Sequence, residues 1–129
     1  MNSLAQKIAW TLSGVFALTF LIAFIPNPIV GSEAVFKTNL GHDLVHLLTA
    51  IGFVVVAVMG EKASVIFMKS FGLVYIGVAI LGFVMLGSTQ EGHLLGIIHI
   101  NAADNFLHLG LGAGIMGLGF FSAKSMQQA

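Results

Sequence analysis

The stretch NLGHDLVHLLTAIG, residues 39 to 52, decides the fold, because the chain returns to its outline 62 residues later as NAADNFLHLGLGAG, residues 101 to 114. Asn39 and Asn101, His46 and His108, Leu47 and Leu109, and Gly52 and Gly114 all stand at that one offset, without a gap. Lys7 and Lys69 share it, as do Lys62 and Lys124. Only 7 of the 67 aligned pairs are identical, so the weight falls on the scarce polar residues that coincide.

Outward from these stretches the chain is apolar, with 57% hydrophobic and 8% charged residues. Soluble domains carry roughly a quarter charged residues, which makes this a membrane protein in contact with a lipid bilayer. Four apolar segments run approximately from Ile8 to Ile25, Leu40 to Met59, Val65 to Gly87 and Asp104 to Phe121. Each is near the roughly 20 residues that carry a helix across the hydrocarbon. The first stops at Pro26-Asn27-Pro28, and the third gives out in Gly87-Ser88-Thr89-Gln90-Glu91, where prolines or polar residues end a helix. The intervening GHLLGIIHI, residues 92 to 100, is too short to span and is expected on the membrane surface or folded back over the bundle. A short polar tail runs from Ser122 to Ala129.

The expected fold is an all-α membrane protein. It is a single domain, residues 1–129, with four transmembrane helices arranged as two tandem two-helix repeats, about 1–62 and 63–129. Hairpins with an even number of crossings share one orientation, so the halves are expected to be related by a pseudo-twofold along the membrane normal. The first segment has the order of a secretory signal, with Lys7, an apolar run and small residues near Gly31 to Ala34. The repeat argues against that reading, because it makes this segment the counterpart of the third helix. Lysines set the orientation: with a cytoplasmic N-terminus, Lys7, Lys62, Lys69 and Lys124 are inside and Lys37 alone is outside. Both termini are then cytoplasmic.

Whole function classes drop out on composition. Net charge is zero with no basic run, so nucleic acid is not an expected partner. There is no cysteine, which excludes disulfides, thiolate metal sites and iron–sulfur clusters. No Ser-His-Asp order, paired glutamates or phosphate loop can be assembled. GAGIMG, residues 112 to 117, matches the dinucleotide fingerprint only formally, since no strand precedes it and it sits in a span. Its glycines, with Gly110 and Gly114 as a GxxxG, read as close helix packing.

The polar residues of the second and fourth helices fall in their first turns, at the outer end. Residues four apart share a helix face, so His42 lies over His46, and Asp104 over His108. Asn39 and Asn101 suit N-caps, and Asp104 suits the positive end of its helix dipole. An imidazole pair at this depth is costly unless it finds partners, by hydrogen bonding across the helices or by holding a ligand. Imidazoles and a carboxylate are what zinc or copper(II) takes, giving His42, His46, Asp104 and His108 as candidate metal ligands. The HExxH hydrolase pattern is absent, so a structural or regulatory ion is expected. Alternatively, His46 or His108 is an axial ligand to a haem or chlorophyll-type ring. His93 and His99 read as interfacial residues within reach of the site mouth, and Tyr75 as a core hydroxyl.

The string NAADNFLHLGLG, with the earlier HDLVHLL and the four-helix layout, resembles a family of small bacterial four-helix membrane proteins known only as a domain of unknown function. The resemblance covers most of the chain. It implies a bundle in the bacterial cytoplasmic membrane, with Asn101, Asp104, Asn105 and His108 as signature positions and His46 as their first-half match. His42 departs from the pattern, where asparagine is common. The family supplies no activity. Two functions are therefore carried forward, neither of them enzymatic. One is a membrane binding or accessory protein whose His/Asp site holds a metal ion or tetrapyrrole. The other is a small subunit packing on a larger respiratory or photosynthetic complex, or on copies of itself, with structural histidines.

Overall fold

In the computed structural model, which describes all residues except 88, 90 and 129, four helices carry the chain back and forth: α1 (Leu4–Ile22), α2 (Leu40–Met59), α3 (Glu61–Leu86) and α4 (Ala102–Gln128). All four are long and apolar enough to cross a membrane. One end of the bundle holds both termini and the α2–α3 turn. The other holds the two long connections, and we call these the terminal end and the loop end. α1 packs chiefly on α2 and α3 chiefly on α4, while α1 and α4 touch sparingly.

Local chemistry moves several helix ends from where hydropathy places them, and α1 also stops at Ile22, short of Ile25. α1 starts four residues before Ile8, because Ser3 and Gln6 form a capping box that satisfies free N–H groups of the first turn. α3 starts at Glu61, since Gly60 alone, at φ +120°, turns the chain out of α2. The polar tail stays helical to Gln128, with Ser122 buried and its hydroxyl donating to the Leu118 carbonyl at 2.8 Å. α2 begins and ends where the sequence places it. Of the polar stretch that closes the third segment, Ser88 and Gln90 lie outside the described residues.

The core is built from small and aromatic side chains. Ala5 and Ala9 of α1, Ala50, Phe53 and Ala57 of α2, Met68 and Tyr75 of α3 and Ile115 of α4 are buried together. Phe16 stacks on Phe53, and Phe53 meets Phe67 edge-on at 4.9 Å. Leucines and valines point outward, Val84 at 73% exposure and Leu48 at 66%, as a lipid-facing surface permits. The close α3–α4 seam runs through Gly72 and Gly112: a Cβ on Gly72 would sit 2.6 Å from the Gly112 carbonyl oxygen. Among the described residues, Gly110 and Gly114 have nothing within 4 Å of such a Cβ, as is true of Gly117. The GxxxG pair expected at a helix contact thus faces away from the bundle, and the residues between its members make the contact instead.

Both connections fold back over the loop end. In the first, Asn27 between its two prolines serves five backbone groups, reaching the carbonyls of Ile22, Ile25 and Val30 and accepting from the N–H groups of Ile29 and Val30. Two short strands, β1 (Val30–Gly31) and β2 (Phe36–Lys37), pair here in parallel. The second connection is an antiparallel hairpin, β3 (Glu91–Leu94) with β4 (Ile98–Asn101), turning at Leu95 and Gly96, which both have positive φ. Leu94 and Ile100 are its buried anchors, packed on Leu86. The fold-back expected of residues 92 to 100 is present, and its period-2 strand form is what the apolar string does not announce.

Candidate functional site

Helix caps at the loop end set the site. Asn39 accepts the His42 N–H at 3.0 Å as N-cap of α2, and its carboxamide also donates to the Ile97 carbonyl and accepts the His99 N–H. Asn101 accepts the Asp104 N–H at 2.9 Å, Asp104 accepts the Asn101 N–H in return, and Asn101 donates to the Val35 carbonyl. Each asparagine thereby caps its own helix and ties down the other connection. The capping roles expected of Asn39, Asn101 and Asp104 are all present.

One turn inward, His42 and His46 of α2 meet His108 of α4. One ring nitrogen from each lies within 4.8 Å of the others, and all three residues are buried. The His42 and His46 ring centroids are 4.7 Å apart, and those of His42 and His108 5.4 Å. His42 Nδ1 lies 2.7 Å from the His99 carbonyl oxygen. A carbonyl only accepts, so this nitrogen carries the proton and Nε2 keeps its lone pair. Nδ1 of His46 and Nδ1 of His108 are buried with no hydrogen-bond partner among the described residues. Orphaned buried nitrogens cost free energy and call for an explanation. The donor set, three imidazoles of which one is oriented by a backbone carbonyl, fits zinc or copper.

Asp104 lies beside this group. Its carboxylate is engaged with Asn101, though it lines the same cavity as His46 and His108. Asp43 and Asn105 are also buried, each with one side-chain polar atom unpartnered among the described residues. His93 stacks on His99 across the hairpin at 4.9 Å. The His99 ring lies 3.6 Å from Glu91, and Glu91 pairs with Lys37 at 2.8 Å. Hydrogen bonding to Lys37 holds the Glu91 carboxyl below its ordinary range, and the same bond holds the Lys37 ammonium above its own. The His99 side chain thus stays at the surface while its carbonyl reaches the buried cluster, a role no side-chain pattern could announce. Tyr75 packs its ring on His108 at 4.7 Å, and Thr38 contributes a buried hydroxyl without a partner among the described residues.

Comparison with known proteins places the chain but assigns it no chemistry. No curated protein and no solved structure matches it. A family model described as a domain of unknown function, DUF4383, matches residues 32–121, spanning the caps, the histidines and the hairpin. The chain belongs to that family.

Proposed function

We propose that this is a small integral membrane protein that binds one divalent ion, zinc or copper(II), through His42, His46 and His108. The observation that carries the reading is the convergence of three ring nitrogens within 4.8 Å in a buried setting. Rings this close to one another favour a single ion over a haem or chlorophyll-type macrocycle, which needs a flat open face beside one axial histidine. Metal analysis and an absorption spectrum of protein purified in detergent test the reading together. The expected result is about one ion per chain, lost on chelation and below about pH 6, where imidazoles protonate. His46→Ala and His108→Ala are expected to couple by about 0.5–3 kcal/mol in the loaded protein and to add independently in the stripped one. Absence of a stoichiometric ion, with no thermal shift on adding zinc or copper, overturns it.

The site sits on a tandem architecture in this proposal, two hairpins about a pseudo-twofold along the membrane normal. Support comes from the two cross-ties: Asn39 to Ile97 and Asn101 to Val35 are the same bond seen from either half, each position displaced by the repeat offset of 62. α2 and α4 begin at matching positions, and His42, Asp43 and His46 are buried as are Asp104, Asn105 and His108. The lysine distribution supports cytoplasmic termini in a bacterial inner membrane, with the site at the outer face. A reporter fused after Ala129 should read cytoplasm and one inserted near Ser32 the outer side; the opposite pattern moves the site to the inner face.

A second reading, an accessory subunit, is favoured by the outward glycines Gly110, Gly114 and Gly117, which offer a neighbouring helix close approach. Co-purification with a large membrane complex at fixed stoichiometry supports it, and a lone stable species argues against it.

A further inference from the structure

His46 and His108 have more ring nitrogens than the described residues have partners for. An ion takes one nitrogen per ring, and the other is ordinarily held by a carbonyl, a carboxylate or water. His42 has that second partner in His99. His46 and His108 have none among the described residues, and both line one cavity of about 280 Å³ together with Thr38, whose buried hydroxyl is a third group without a partner. Thr38 is 2% exposed, His108 4% and His46 6%. The rest of the wall is mostly apolar and lies in the thinly packed gap between α1 and α4. At its rim stand Val15 of α1, 50% exposed, and Leu107 of α4, 37% exposed. Val15 and Leu107 belong to spanning helices, so that edge of the cavity faces hydrocarbon, while Ile29 of the first connection, 55% exposed, lines it on the loop side.

From this geometry we propose that the cavity binds the head group of a lipid-soluble quinone or quinol, entering sideways from the bilayer between α1 and α4. An occupant arriving by that route must be neutral, because an isolated charge is expensive in such surroundings. It must offer oxygens to imidazole N–H groups and to a hydroxyl, which quinone carbonyls do. Asp104, on the same wall, has lone pairs left to accept from a quinol hydroxyl. A flat occupant suits the wall, which is lined by the rings of Phe16, Tyr75, His46 and His108, with Phe16 packed against His46 and Tyr75 at 6.1 Å between centroids. Size agrees, since a cavity of about 150 Å³ holds benzene. One of about 280 Å³ takes a substituted six-membered ring and leaves its tail to run out past Val15 and Leu107. The ion and the quinone are separate claims, because the Thr38 hydroxyl and the apolar gap belong to the cavity alone.

The test is titration of detergent-solubilised protein, once stripped with chelator and once loaded with zinc, using a benzoquinone that carries a ten-carbon tail, followed by calorimetry and thermal unfolding. Saturable binding of one molecule per chain and a raised melting temperature are expected in the stripped protein whether or not zinc is retained by the loaded one, which separates this inference from the metal reading. Decanol, a tail without the ring, should not compete. Thr38→Val keeps the shape and should weaken quinone binding roughly three- to tenfold, the worth of one hydrogen bond, with the ligand-free melting temperature unchanged or raised. Leu111→Phe should fill the cavity and abolish binding. Absence of saturable binding, equal competition by decanol, or undiminished affinity in Thr38→Val overturns the inference.

Discussion

The terminal and loop halves of the bundle bury polar groups in opposite ways. At the terminal end each has a protein partner: Gln6 donates to the Ala57 carbonyl, Ser64 to those of Val56 and Gly60, and Ser122 to that of Leu118. At the loop end Thr38, Asp43, His46, Asn105 and His108 each keep a buried side-chain atom without one among the described residues. An unsatisfied buried group costs about 1–3 kcal/mol, so the loop half holds its polar side chains at a loss of stability that a bound ligand would offset. The contrast teaches that the fold is secured in the terminal half and the central seam.

The strongest way to break this contrast is through the seam. Gly72→Leu should destabilise by about 1–3 kcal/mol or more, because the atoms its Cβ meets are Gly112 and Met116 backbone that cannot swing aside. Gly114→Leu, with nothing within 4 Å, should leave the melting temperature of the isolated protein unchanged. Thermal unfolding in detergent decides both, and equal effects would mean that the seam has been misplaced.

A smaller effect sharpens the comparison between the halves. Ser64→Ala removes a satisfied donor at the terminal end and should cost about 0.5–1.5 kcal/mol. His46→Leu in ion-free protein removes an unsatisfied one and should be neutral or stabilising, since an apolar replacement of similar size relieves the buried nitrogen. A large loss from His46→Leu without metal would show that the loop half is satisfied after all.

The smallest effect is expected at the surface pair between Lys37 and Glu91. Its contribution is present above the ordinary carboxylate range and fades as pH falls through the lowered Glu91 value. On the alkaline side it fades as pH rises through the raised Lys37 value. Lys37→Met should therefore change unfolding less than Ser64→Ala at neutral pH, and not at all in acid or high salt. A difference that persists in acid would assign Lys37 some role other than the pair.

Much of this architecture is determined by sequence alone. Four spans follow from hydropathy because hydrocarbon forces long apolar helices whatever their neighbours, and both ends of α2 are legible because Asn39 caps one and Gly60 closes the other. His46 and His108 stood out as candidate residues because polar residues are scarce in a span. Tertiary structure alone decided the rest. It oriented His42, already a candidate ligand by its spacing from His46, through a backbone carbonyl 57 residues away, and a carbonyl has no signature in a side-chain string. It folded residues 91–101 into a hairpin, where burial of Leu94 and Ile100 outweighs an ambiguous apolar run. It also turned Gly112 inward and Gly114 outward, because helix rotation about its own axis depends on every contact at once and not on the spacing of glycines.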